Sequence, residues 1–258
     1  MTQLSVIKEL SPSPKPPWTK LGKKLESACR KALFDFKMVD QVDKLAIALS
    51  GGKDSLSLLF LMKAISGRGF PPFELHAIHV NGAFSCGAGV NQEYLKGICD
   101  KLGVNLVVKE ASQKLESLEC YSCSRERRSL LFDAAKELGI HTIAFGHHRD
   151  DNAQTVLMNL LHKGEFAGTQ PHIKMHQYDV TIIRPLIYIA EEDIKTFAKQ
   201  QGFARITCRC PVGQNSMRRK VDHILMELED SFPNVRENIA SAGLIYGSDK
   251  AKRIKEKL

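Results

Sequence analysis

The strongest constraint on this chain is an abrupt change of pattern at residue 50. Residues 44–49, Lys-Leu-Ala-Ile-Ala-Leu, make a short apolar run of strand length. It stops in Ser50-Gly51-Gly52-Lys53-Asp54-Ser55, and residues 56–65 continue at once with the apolar content of a buried helix. Neither element has a clean polar face, so both must be covered. That requirement points to a central strand in an α/β sheet with helices on both faces. The remainder repeats the unit. Strands are predicted at 74–80, 105–109, 142–145 and 181–185, and helices at 90–102, 124–138, 152–161 and 192–201. The predicted fold class is therefore a doubly wound parallel α/β sheet. Residues 21–36 predict a further helix, and an arm containing Pro12, Pro14, Pro16 and Pro17 precedes it. The weakly patterned stretch 164–178 reads as a mobile loop, and the chain ends in a charged helical tail. The division expected is 1–40 arm and helix, 41–221 nucleotide-type domain, 222–258 helical tail.

Ligands of such sheets bind beyond the carboxyl ends of the strands. Two chemically loaded segments fall there. In the first, Gly51 and Gly52 allow a tight turn that brings backbone N–H groups close to an anion, and the helix start adds its own unpaired N–H groups. Lys53 supplies positive charge, and Ser50 and Ser55 supply hydroxyls. Asp54 alone would repel a phosphate, which makes it a candidate Mg²⁺ partner. The spacing is not the Walker pattern. The second segment is Gly146-His147-His148-Arg149-Asp150-Asp151. Its paired aspartates suit metal ligation near a triphosphate, and they also suit N-capping of a helix opening at Asn152.

The charge balance is 37 Lys plus Arg against 29 Asp plus Glu, +8 net, which fits a polyanionic partner. No apolar run is long enough for a membrane helix, and residues 1–20 lack the apolar core of a secretory signal, so a cytoplasmic location is expected. The seven cysteines then read as thiols, metal ligands or nucleophiles rather than disulfides. Cys120 and Cys123 have C-x-x-C spacing, which serves a redox dithiol, half a zinc site or an iron–sulfur pair. Arg125, Arg127 and Arg128 follow and favour thiolate; they suit either the phosphates of a polyanionic partner or a solvated helix face. A late pair, Cys208 and Cys210, could complete a four-thiol zinc site or leave one thiol spare beside a three-cysteine cluster. Cys29 and Cys99 lie on helical patterns and read as buried, and Cys86 is given no role.

The Ser50–Ser55 loop resembles the pyrophosphatase loop of the Rossmann-like ATP pyrophosphatase (PP-loop) superfamily, and the Gly146–Asp151 segment resembles its second loop. That likeness implies ATP cleaved between the α and β phosphates, AMP transferred to a carbonyl oxygen, and adenine cupped at Val80. The set as a whole, with Cys120-Tyr121-Ser122-Cys123, Ile183-Arg184-Pro185-Leu186 and a late cysteine followed by Arg218, resembles the tRNA 2-thiocytidine synthetase family from about residue 20 to 221. The resemblance implies ATP and Mg²⁺, nucleotide binding by Ser50, Gly51, Gly52, Lys53, Asp54, Ser55, Val80, Gly146 and Asp151, and magnesium at Asp54. It implies catalytic roles for Lys53, Asp54, Cys120, Cys123 and Cys210. It also implies a [4Fe–4S] cluster on Cys120, Cys123 and Cys210, with Cys208 the alternative third ligand. The implied substrate is cytidine 32 of tRNA. A separate sulfur donor, such as a cysteine desulfurase, and a homodimer also fit that family. Competing readings are a tRNA 2-thiouridine thiolase, a lysidine synthetase, and a non-catalytic zinc-stabilised nucleotide-binding module.

Overall fold

The computed structural model describes residues 19–82, 92–112, 120–203 and 217–247. Helix α1 (Lys20–Asp35) is followed by β1 (Lys44–Ala48), α2 (Lys53–Ile65), β2 (Glu74–Asn81), α3 (Gln92–Leu102) and β3 (Asn105–Glu110). Then come α4 (Cys120–Glu137), β4 (Thr142–Ala144), α5 (Arg149–Lys163), β5 (His172–Met175) and β6 (Val180–Ile183). Helices α6 (Glu191–Gln200), α7 (Met217–Ser231) and α8 (Val235–Tyr246) complete the described chain.

The six strands form one sheet in the order β3-β2-β1-β4-β6-β5. All neighbours are parallel except β5, which runs antiparallel to β6 at the edge. Strand order reverses between β1 and β4, because β1 hands the chain to β2 on one side while β4 lies on the other. This is the switch point at which two strand-end loops diverge and leave a crevice.

Side-chain alternation explains why β1 must be central. Leu45 and Ile47 join one core with α1, α2, α3 and α6, whereas Ala46 joins a second core with α4 residues Leu131, Phe132, Ala134 and Ala135. Helix α2 is buried from Ser55 through Met62. It has no polar face because the sheet lies on one side of it and α1 and α6 on the other. Its Phe60 ring meets Phe203 edge-on, with centroids 4.9 Å apart.

The sequence expectation for 164–178 is corrected here. The stretch contains β5 and a short 3₁₀ turn (His176–Tyr178), and Asp179 closes the hairpin in the left-handed region, φ 50°. The strand is an exposed edge of four residues, too short for its alternation to stand out. The preceding segment is pinned rather than loose. Thr169 N donates to Asn152 Oδ1 at 2.7 Å, and Asn159 Nδ2 donates to the Ala167 carbonyl at 2.7 Å.

The C-terminal helices pack on α5. Asn152 Nδ2 donates to the Ala240 carbonyl at 3.0 Å. A Cβ placed on Gly243 would overlap Val156 Cγ2, so the bare α-carbon sets the helix spacing. Helix α7 runs through position 221, and its Val221 and Leu225 pack with Ala153 of α5 and Ala240 of α8. Replacing Gly243 with Val should cost about 1–3 kcal/mol, because a branched side chain is driven into a packed contact. Urea denaturation measures it, and an unchanged midpoint would mean that α8 does not pack here.

Candidate active site

The loop after β1 is shaped by local geometry. Gly51 has φ 82°, a conformation that side chains resist. Gly52 N-caps α2 without a side-chain cap bond. Within the loop, Ser50 Oγ accepts from Gly52 N at 3.3 Å and lies 3.1 Å from Ser55 Oγ, which donates to the Gly52 carbonyl at 3.0 Å. The first turn of α2 therefore presents main-chain N–H groups that no side chain caps, the usual seat of a phosphate. His79, fully buried on β2, holds the Leu49 carbonyl through Nδ1 at 2.8 Å and anchors the loop's entry.

The loop after β4 comes against this turn. A Cβ on Gly146 would lie 3.0 Å from the Asp54 carbonyl carbon and 3.1 Å from Ser55 N. Only glycine lets the two loops approach so closely. Helix α5 then starts at Arg149, three residues earlier than the pattern predicts. Its cap is His148, not an aspartate. Asp151 N donates to His148 Nδ1 at 3.4 Å, and His148 N donates to Asp151 Oδ2 at 3.1 Å, forming a reciprocal capping box.

The two aspartates of this segment part company. Asp151 lines a cavity of about 600 Å³ at the carboxyl ends of the strands. Asp150 is buried and accepts from Glu191 N at 2.8 Å, which fixes the start of α6. The cavity wall also includes Ser50, Asp54, Ser55, Val80, Gly146 and, from α4, Cys123. Cys123 is reduced. Helix α4 starts at Cys120, so both motif cysteines fall at its N-terminal end. Cys208 and Cys210 lie outside the described residues, as does Cys86. Among the described residues no group of three His, Cys, Asp or Glu is placed to hold a metal ion.

Lys53 is not part of the cavity wall. Its Nζ lies 3.0 Å from Asp54 and 3.0 Å from Glu191. Burial opposes its charge, but the two carboxylates prevail and hold its pKa above the ordinary lysine value. Asp54 Oδ1 is buried and accepts no hydrogen bond, although Lys53 Nζ is at ion-pair distance. An oxygen in that condition suits a hard cation.

Four arginines beyond the motif cysteines line the wall: Arg127 and Arg128 on α4, Arg184 after β6, and Arg218 on α7. Arg125 is exposed and outside it. Arg218 reaches in from α7 and pairs with Asp151 at 2.8 Å. Sequence reasoning used Arg184 and Arg218 as markers of likeness and did not name them as site residues. It missed Glu191 altogether, since a Glu at a helix start is ordinary. Burial first, and then the Arg184 charge, lower the His147 pKa to about 4 against the pull of Asp151.

The arrangement is that of an α/β nucleotide-phosphate site with a thiol on its wall. The PP-loop domain family is matched over residues 21–219. A tRNA-cytidine(32) 2-sulfurtransferase of Ralstonia nicotianae is 35% identical over 232 residues, spanning 86% of this chain and 73% of that one. One from Syntrophotalea carbinolica is 30% identical over 231 residues, spanning 86% and 89%. Among solved structures, the U34-tRNA thiolase NcsA of Methanococcus maripaludis, with its [4Fe–4S] cluster, superposes with TM-score 0.69 at 25% identity, over 92% of this chain and 80% of that one. The chain belongs to the PP-loop family and, within it, to the tRNA 2-thiocytidine synthetase family.

Two outcomes follow from the site. Asp150→Ala should lower stability by about 1.5–3 kcal/mol, by removing a buried charged acceptor; Asp151→Asn should instead weaken nucleotide binding in the presence of magnesium. Denaturation and calorimetric titration of both variants check this, and identical behaviour of the two would refute the division. For His147, the unfolded chain takes up a proton near its ordinary value of 6.5, while the folded chain resists until about 4. Its contribution to stability is therefore present above pH 6.5 and is lost as pH falls toward 4. Urea midpoints of wild type and His147→Phe across that window should converge at the acid end.

Proposed function

We propose that this chain is an ATP-dependent tRNA sulfurtransferase that activates the 2-oxo group of a cytidine and replaces it with sulfur. The observation that carries the reading is the placement of Cys123 on the wall of the cavity formed by Ser50, Asp54, Ser55 and Asp151. A phosphate site needs no thiol, and a structural thiol has no reason to face one. The choice of cytidine rests on the relatives at 30–35% identity.

The residues act in a simple order. The Ser50 and Ser55 hydroxyls and the first N–H groups of α2 seat the phosphates of ATP. Lys53 releases its carboxylate partners and adds positive charge where charge develops on the departing pyrophosphate. Asp54 and Asp151 would hold Mg²⁺; the buried Asp54 Oδ1, which accepts no hydrogen bond, fits that role. Val80 closes the apolar side near adenine. The cytosine oxygen attacks the α-phosphorus and pyrophosphate leaves. The oxygen then departs as part of AMP when sulfur adds at C2. Reaching that carbon requires the base to be unstacked, and the basic chain (+8) suits the polyanion that carries it.

Cys120 and Cys123 at the N-terminal end of α4 are two ligands of a [4Fe–4S] cluster, with Cys210 the third and Cys208 the alternative. Cys123 is the described donor and fits this, because it shares the cavity wall with Arg127 and Arg128, and cations near a thiol favour the form that binds iron. When bound, the cluster supplies a metal centre through which sulfur is delivered. The sulfur comes from a separate donor such as a cysteine desulfurase, and its persulfide sulfur takes two electrons from a thiol reductant before it adds as hydrosulfide.

Cys123→Ala should bind ATP within about twofold of wild type and lose tRNA thiolation, since it removes the sulfur function and leaves the phosphate seat intact. Mass spectrometry of nucleosides from treated tRNA reads it. Anaerobically purified wild type should carry about four iron and four sulfide per chain. Thiolation that survives in the variant, or stoichiometric zinc in place of iron, would overturn the proposal; 2-thiouridine as the product would overturn the choice of base.

A further inference from the structure

His147 is a cavity-wall residue that the motif chemistry leaves without a task, and three observations define its state. Its ring stacks on Phe145, with centroids 5.8 Å apart and planes 21° apart, so its plane is fixed. Arg184 Nε lies 3.3 Å from its Nδ1. Arg184 is held in turn by a bond to the Gln170 carbonyl. A guanidinium N–H can only donate, so His147 Nδ1 must accept and carries no proton. An imidazolium has no accepting nitrogen, so the ring is neutral and its one proton sits on Nε2. Among the described residues none takes a hydrogen bond from that Nε2.

The surroundings agree with this state. Arg184, Arg218 and His148 disfavour a further positive charge on the ring, and Asp151 alone favours one. The position is equally definite. The residue just before it, Gly146, would carry its Cβ 3.1 Å from Ser55 N, in the first turn of α2. His147 therefore stands beside the main-chain N–H groups of the phosphate seat, on the wall of the same cavity.

We propose that Arg184 is a positioning residue that locks His147 as a neutral hydrogen-bond donor, and that His147 Nε2–H donates to a phosphate oxygen of the bound nucleotide. This rests on the reading of the Ser50 loop as an ATP site. A neutral donor does at this position what another cation would do at a penalty. Arg127, Arg128, Arg184 and Arg218 already supply charge on the wall, and a further proton on the ring would break the bond from Arg184. The bond to phosphate is then constant over the working pH range, because the donor does not titrate within it.

The test uses full-length protein labelled with ¹⁵N-histidine. Ring ¹⁵N shifts of His147 are followed between about pH 5.5 and 8.5, and ATP binding is measured by calorimetry for wild type and variants over the same range. Wild type should show the Nε2–H tautomer throughout, with no titration. Arg184→Gln should let His147 titrate within the range and make ATP affinity pH-dependent. His147→Phe keeps the stacking partner but removes the donor, and should weaken ATP binding about tenfold, the worth of one bond to a charged oxygen. His147→Gln, which keeps an N–H donor, should recover most of that loss. Should Arg184→Gln fail to fold, the wild-type tautomer and the two His147 variants decide the matter. An Nδ1–H tautomer, a titration in wild type, or ATP binding by His147→Phe equal to wild type would overturn the proposal. Wild type that binds no ATP at all would instead overturn the nucleotide reading, whatever the tautomer.

Discussion

Everything at this site depends on how closely two main-chain segments approach. Gly146, just past β4, lies so near the start of α2 that a methyl group would press on the Asp54–Ser55 peptide at 3.0–3.2 Å. Because the segments touch through bare backbone, the loops after β1 and β4 share one crevice instead of flanking a ridge. The hydroxyls of Ser50 and Ser55 then line the same space as the carboxylate of Asp151. A phosphate group needs donors from more than one direction, and the glycine contact is what supplies the second direction.

Charge is organised around that contact in two tiers. The inner tier faces the cavity: Asp54, Asp151, and the cations Arg127, Arg128, Arg184 and Arg218. The outer tier holds the inner one in place. Asp150 fixes the start of α6, and α6 brings Glu191 to Lys53. Arg236 on α8 lies 2.8 Å from Asp222 and 2.9 Å from Glu229 on α7, which presents Arg218 to Asp151. Asp150 and Arg236 are the buried ions of this set and are costly to strand without partners, so their pairing ties α8 to the start of α5.

Much of the architecture was legible because the elements that carry it are long and apolar. β1, α2, β2 and β4 announce themselves by continuous burial on both faces, and the glycine-rich turn between β1 and α2 can serve few purposes. β5 was not legible, since four half-exposed residues at an edge carry almost no periodic signal. The start of α5 was misplaced for a chemical reason. An aspartate pair looks like a cap, yet the cap is His148, a residue seldom chosen for that position, with Asp151 as its reciprocal partner. The start of α4 was likewise placed after the cysteines rather than on them.

The sequence by itself determined the sheet's covered strands, the glycine-rich turn between β1 and α2 and the C-x-x-C spacing, because each depends on residues adjacent in the chain. Tertiary structure alone decided which of two adjacent aspartates faces the cavity, that Lys53 rests against Glu191, and that Cys123 shares a wall with Ser50. It also decided that Arg184 meets His147 and Arg218 meets Asp151, pairs separated by 37 and 67 positions. Such pairings leave no local pattern. They arise only when parallel strands bring their carboxyl ends to one edge, and the identity of each neighbour follows from packing rather than from spacing.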